Sequence, residues 1–155
     1  MDLPLDEIEE INFNRKKIPI SPELRPIYRI SQIILVMELS STMKTASLLK
    51  LQLFNWGLQN EDRYERLFKL KETKDFPIIR FDPFLNRALN YGVAMKVFLF
   101  NVKTGKFSLT EKGELLAQKI LKDDVFSKEK VFLKTIKKSL SDKYILQLFK
   151  ERYPS

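Results

Sequence analysis

Three side chains with base-pairing chemistry lie close together in the middle of this sequence: Asn86, Arg87 and Asn90. The asparagine amide and the arginine guanidinium each offer paired polar atoms that match the edges of adenine and guanine. Their spacing places all three on one side of a helix predicted over residues 83–91. They are therefore candidates for reading DNA, with an ordinary solvated helix face as the alternative.

Catalytic chemistry has little to draw on in this chain. It contains no cysteine and no histidine, which excludes disulfides, thiolate nucleophiles, histidine bases and nearly every zinc site. Its only glycines are Gly57, Gly92, Gly105 and Gly113, so no glycine-rich phosphate loop is present. No pair of carboxylates stands in a context that suggests acid-base catalysis. We expect a non-enzymatic protein without a cofactor or a metal.

The composition fits one small domain. The chain has 155 residues, of which 44% are hydrophobic, enough for an ordinary core. A net charge of +8 favours polyanionic partners, although lysine-rich chains from AT-rich genomes are often basic without any binding role. No run of about eighteen apolar residues exists, and the N-terminus lacks the pattern of a secretory signal. We expect a cytoplasmic protein that does not enter a membrane.

Hydrophobic spacing predicts several helices before the hairpin. The first spans residues 27–39 and is apolar around most of its circumference, which predicts a central position. Helices over residues 44–58 and 61–72 follow, and then a short strand over 76–81. Asp82 and Pro83 provide a cap and a first helical residue for the next helix, which Gly92 is expected to end.

The segment from 96 to 121 predicts a β-hairpin that leads into a capped helix. Residues 95–100 and 107–109 are β-prone, the turn lies between them, and Thr110 caps the helix that follows. Two more helices are predicted over residues 127–140 and 141–153. This element order indicates a mainly α protein with a winged helix-turn-helix core, against the alternative of a generic hairpin and helix. The predicted divisions are an N-terminal arm (1–22), the winged-helix domain (23–122) and a C-terminal helical extension (123–155).

Basic residues flank the candidate DNA-reading helix. Lysines at the hairpin tip and cations near either end of the helix can reach phosphates. These candidates are Arg80, Lys96, Lys103 and Lys106. The lysine-rich segment 128–143 is a further candidate for nucleic-acid contact, with a solvated face as the alternative.

Apolar residues are more numerous than one small core obviously needs. A surplus of this kind suggests a protein interface, unless the terminal helices pack back onto the domain. The candidates in the folded part are Phe98, Phe100, Phe132, Tyr144 and Phe149. The acidic arm adds Leu3, Leu5, Ile8 and Ile11, which suit a basic apolar groove, with a frayed tail as the alternative.

The stretch 26–58 contains PIYRISQIIL (26–35) and ASLLKLQLFNWGL (46–58), the latter with the Asn55-Trp56 dipeptide. Together with the predicted wing, it resembles the small middle components of bacterial ABC-three-component defence systems, including Lamassu-type systems. The resemblance covers most of residues 26–121 and rests on hydrophobic pattern and a few dipeptides. It implies a winged-helix accessory subunit that assembles with an SMC-like ABC ATPase and a separate effector, usually a nuclease, in anti-phage defence. It carries no catalytic residues.

Three functions therefore remain open from the sequence. The first is the non-enzymatic accessory subunit implied by the resemblance, with direct DNA contact left open. The alternative is a DNA-binding transcription regulator that uses the helix 83–91 and the wing 96–109. A third is a small homodimeric regulator of the toxin-antitoxin or phage type that binds its own promoter.

Overall fold

The computed structural model describes residues 25–154, so the arm predicted over residues 1–22 lies outside the described part. Within that part the chain is mainly helical with one small antiparallel sheet, as the sequence predicts. The helices are α1 (Arg25–Ser40), α2 (Leu48–Leu58), α3 (Tyr64–Phe68), α4 (Leu70–Thr73), α5 (Pro83–Ala94), α6 (Glu111–Lys122), α7 (Ser127–Ile136) and α8 (Asp142–Arg152). The strands are β1 (Thr45–Ser47), β2 (Phe98–Asn101) and β3 (Lys106–Leu109), and single 3-10 turns lie at Thr42–Lys44 and Glu61–Arg63.

Helix α1 is the centre of the molecule. Ile30, Ile34, Leu35 and Met37 are fully buried, although they project in different directions around the helix. The helix contacts α2, α5, α6, α7 and β3. The predicted central position is therefore confirmed, because a helix that is apolar around most of its surface is stable only when other elements cover it.

The three strands form a sheet in the order β1-β3-β2, with both pairs antiparallel. Thr45 lies opposite Ser108 on β3, and Ser108 lies opposite Leu99 on β2. Strand β1 is a correction, because the sequence predicts a helix from residue 44. The helix begins only at Leu48, where the Ser47 hydroxyl accepts a hydrogen bond from the Lys50 amide and caps it.

The hairpin and the helix that follows it form as predicted. The Thr110 hydroxyl accepts a hydrogen bond from the Gly113 amide at the start of α6 and donates to the Lys96 carbonyl at 2.6 Å, while the Thr110 amide donates to the Val97 carbonyl at 3.0 Å. Gly113 lies so close to the Val97 carbonyl that a Cβ would collide with it. The glycine thus lets α6 pack directly against the chain that enters the hairpin.

Three predictions for the middle of the chain are wrong: one helix, one strand and one helix end. The helix over 61–72 is broken into a 3-10 turn and the short helices α3 and α4. Residues 74–82 form no strand, since Pro77 has no amide hydrogen and no described strand lies beside the segment. Helix α5 does not end at Gly92 but continues to Ala94. Gly92 lies inside the helix, where the absence of a Cβ makes room for the Phe98 ring.

The C-terminal helices pack against the rest of the molecule. Helix α7 ends at Ile136, where Lys137 adopts a positive φ, and α8 starts after the Ser141 cap. Leu133 and Ile145 belong to the same buried cluster as the residues of α1. The domain limits at 22 and 122 stay a prediction.

Candidate nucleic-acid interface

Helix α5 presents the three candidate base-reading residues to solvent. Leu85, Ala88 and Leu89 are buried, and the helix packs on α1. Asn86, Arg87 and Asn90 are all exposed on its other side. The Arg87 guanidinium lies 5.5 Å from the centroid of the Phe84 ring, which supports the side chain without consuming its hydrogen-bond donors.

A polar network fixes the start of α5. Asp82 Oδ1 accepts a hydrogen bond of 2.9 Å from the Phe84 amide and caps the helix. Its other oxygen, Oδ2, forms an ion pair of 3.0 Å with Arg29 on α1 and accepts a hydrogen bond of 3.2 Å from Asn55 on α2. Arg29 also donates to Asn55 Oδ1. Three helices are thereby held together at the end of the helix that carries the candidate site.

The sequence predicts only one part of this network. The Asp82-Pro83 pair identifies the cap, because both residue types are typical of a helix start. Nothing local in the sequence links Asn55 or Arg29 to this cap, because both lie far from Asp82 along the chain. A half-buried aspartate at a helix start predicts that some cation pairs with it. The sequence does not show which cation lies close enough.

The two cations predicted near the helix lie at its opposite ends. Arg80 is exposed just before α5, and Lys96 is exposed just after it. The helix has 12 residues and is therefore about 18 Å long. Neither side chain forms a salt bridge with another residue in the range 25–154. Both remain available to an anionic ligand along the exposed side of α5.

The two lysines of the hairpin have different environments. Lys103 is exposed in the turn, which is held by the Asn101 side chain accepting from the Lys103 amide at 2.9 Å. Lys106 instead turns towards α8, where its Nζ lies 3.5 Å from Asp142 Oδ2. Only Lys103 of this pair projects from the hairpin without an ion pair to a described residue.

Two of the residues predicted to bind a partner are buried in the chain's own core, so that prediction is corrected for them. Phe98 and Phe132 are each 2% exposed. Phe98 packs against Gly92, and Phe132 stacks on Tyr64 with ring centroids 4.3 Å apart. The sequence cannot show that α5 packs over Phe98 and that α3 packs over Phe132.

The other predicted partner residues differ in accessibility. Phe149 is half-buried against Phe76, with ring centroids 5.6 Å apart, and Tyr144 is half-buried with its hydroxyl 3.5 Å from the Lys71 carbonyl. Phe100 is 41% exposed and therefore remains on the surface. The four arm residues lie outside the described part and are Leu3, Leu5, Ile8 and Ile11.

Lys50 is the one strongly perturbed cation among the described residues. Its side chain is 2% exposed, and its Nζ donates a hydrogen bond of 2.6 Å to the Ser40 carbonyl at the end of α1. Burial lowers its pKa from 10.5 to about 8. Asp142 opposes this effect, while Lys106 and Lys138 add to it. This lysine is enclosed between α1, α2 and α8 and does not reach the exposed side of α5.

No family model, curated protein or solved structure matches this chain. The resemblance to the middle components of three-component defence systems therefore stays a prediction. Within residues 25–154, no group of three or more acidic side chains is arranged to hold a metal ion. No helix in that range is long and apolar enough to cross a bilayer.

Proposed function

We propose that this chain is a non-enzymatic winged-helix protein that binds DNA with α5. The order α1, β1, α2, α5, β2, β3 supports this fold, with α2 and α5 as the helix-turn-helix and the hairpin as the wing. The pairing of β3 with both β1 and β2 also supports it. The residues between α2 and α5 are then an insertion into the motif.

The observation that carries the proposal is the exposed polar side of α5. In DNA-binding members of this fold, the helix before the wing enters the major groove. There Arg87 would pair with the O6 and N7 atoms of guanine, and Asn86 or Asn90 with N6 and N7 of adenine. Arg80, Lys96 and Lys103 would neutralise phosphates on either side.

The test is selection of a preferred site from random duplexes, followed by affinity measurements on variants. Arg87→Ala should lose about 1–3 kcal/mol on the selected site and relax its preference at one base pair. The matched control is Arg152→Ala, which removes the same charge from an exposed position on α8. If both variants weaken binding equally, or if selection yields no preferred site, the proposal is wrong.

A second candidate function is that of an accessory subunit in a larger assembly, as the resemblance implies. The exposed apolar residues of the hairpin favour it, since Leu99 is 62% and Val102 is 84% exposed. They lie on and beside β2, an edge strand with Phe100 on its other face. Several exposed apolar side chains on one edge hairpin favour an interaction surface.

This candidate requires an SMC-like ATPase and a nuclease encoded beside this chain. Co-expressed with them, the chain should co-purify as a complex, and the double variant L99S/V102S should reduce recovery of the ATPase. The same variant should leave the base-pair preference of the selected site unchanged, because it alters no residue on α5. A neighbourhood without such genes, or a chain that stays monomeric beside both proteins, argues against the accessory role.

A further inference from the structure

An open groove of about 510 Å³ lies beside the start of α5. Its walls are the C-terminal half of α2, Arg63 at the end of the second 3-10 turn, and the segment that leads into α5. Trp56, Ile78 and Phe81 provide apolar surface, and Ile78 and Phe81 are 72% and 58% exposed. Two large apolar side chains so open to solvent in one groove indicate a surface that something else covers.

The charged groups of this groove leave it positive. Arg63 stacks on Trp56, with its guanidinium 4.7 Å from the ring centroid, and its NH1 donates to the Trp56 carbonyl at 2.8 Å. Arg80 has no ion pair with a described residue. The carboxylate on the wall, Asp82, is already neutralised by Arg29. An occupant that combines aliphatic side chains with carboxylates would complement both features.

We propose that the segment 2–11 of this same chain docks in the groove. That segment has the required composition: its carboxylates are Asp2, Asp6, Glu7, Glu9 and Glu10, and its aliphatic residues are Leu3, Leu5, Ile8 and Ile11. The groove is a different surface from the exposed side of α5, and Arg80 is the one residue that it shares with the proposed DNA contacts.

The segment is attached to the fold within reach of this groove. Helix α1 begins at Arg25, one turn before Arg29, and Arg29 contacts two groove residues, Asn55 and Asp82. Extended chain between residues 11 and 25 spans up to about 45 Å, several times the width of a peptide groove. A segment tethered so close to its site is present at an effective concentration in the millimolar range, so even weak docking is populated.

The test uses the full chain, which has no natural cysteine. The variant I8C/I78C should form an intramolecular disulfide under mild oxidation at least about tenfold faster than the control I8C/V131C. Val131 is a suitable control because it is 66% exposed and lines a second apolar groove between α3 and α7. Equal rates of disulfide formation for the two pairs would overturn the proposal. A disulfide-linked dimer as the product would also overturn it, and would identify a second copy of the chain as the occupant.

Trp56 gives a second measurement without cross-linking, since it is the only tryptophan in the chain and lines the groove. Replacing Leu3, Leu5, Ile8 and Ile11 by serine should shift its emission to longer wavelength and increase quenching by acrylamide. The circular dichroism spectrum shows whether the fold is retained. Unchanged emission and quenching in the folded variant would refute docking.

Discussion

The buried side chain of Lys50 should make the free energy of unfolding depend on pH, over the range between its pKa in the folded and in the unfolded protein. Its ammonium group is buried against the end of α1 and has a carbonyl, not a carboxylate, as its hydrogen-bond partner. Burial lowers its pKa to about 8, whereas the unfolded chain keeps the ordinary value of 10.5. Between these two values the unfolded state binds more protons than the folded state, so the free energy of unfolding rises with pH.

The size of the effect follows from the two pKa values. Below about pH 8 the folded protein carries the whole penalty of a buried charge, and above pH 10.5 the lysine is neutral in both states and the penalty is absent. At about 1.4 kcal/mol per pH unit, the window of about 2.5 units is worth at most about 3.5 kcal/mol. Lys50→Met cannot titrate, so the stability of the wild type relative to this variant should rise by up to that amount from pH 7 to pH 10.5.

The assay is urea denaturation of both proteins at intervals of half a pH unit. The variant also leaves the Ser40 carbonyl without its donor, which offsets the two curves by a constant and leaves the slope unaffected. Lys134→Met, at an exposed position on α7, controls for the removal of a lysine and should give a flat difference. Asp142→Asn should move the rise to lower pH, because Asp142 raises the pKa of Lys50. A wild-type minus K50M difference that does not change with pH would refute the reasoning.

Four further substitutions, two at glycines and two at Asp82, test the packing of the hairpin and of the start of α5, each by urea denaturation. Gly113→Ala forces a Cβ against the Val97 carbonyl and should lower the free energy of unfolding by about 1–3 kcal/mol or more. Gly105→Asn should lower it by under about 1 kcal/mol, because asparagine tolerates a positive φ and nothing lies within 4 Å of a Cβ at this position. Equal losses would contradict this. Asp82→Ala removes the cap of α5, about 1 kcal/mol, and leaves Arg29 without its carboxylate, for a total of about 2–4 kcal/mol. Asp82→Asn should retain the cap contribution, and a loss as large as that of the alanine variant would contradict the assignment.

Local signals in the sequence predict the helix starts well. Asp82, Thr110 and Ser141 each precede a helix and accept a hydrogen bond from an amide in its first turn. A cap depends on residues within a few positions of one another, so it can be recognised without knowledge of the fold. The apolar pattern of α1 predicts its central position for a similar reason.

Long-range contacts explain the failures. Strand β1 exists because Thr45–Ser47 pairs with β3 some sixty residues later. Ser47 caps α2, but it is one of several serines and threonines in residues 40–47 that could start the helix. Gly92 is a packing glycine under the Phe98 ring, but a glycine near a predicted helix end has the same pattern as a terminator. The predicted surplus of apolar residues was too large because α3 and α5 cover Phe132 and Phe98.

The hairpin is a weaker phosphate contact than the sequence indicates, and this affects what DNA binding by α5 must look like. Lys106 is held by Asp142, so the four candidate phosphate contacts reduce to three without an ion pair to a described residue: Arg80, Lys96 and Lys103. Each neutralised phosphate contributes about −0.9 to the slope of log affinity against log salt, so contacts by these cations alone predict a slope near −3. A slope of about −6 or steeper would require further lysines to contact phosphates. The lysine-rich segment 128–143 is the set in this chain that could supply that many contacts.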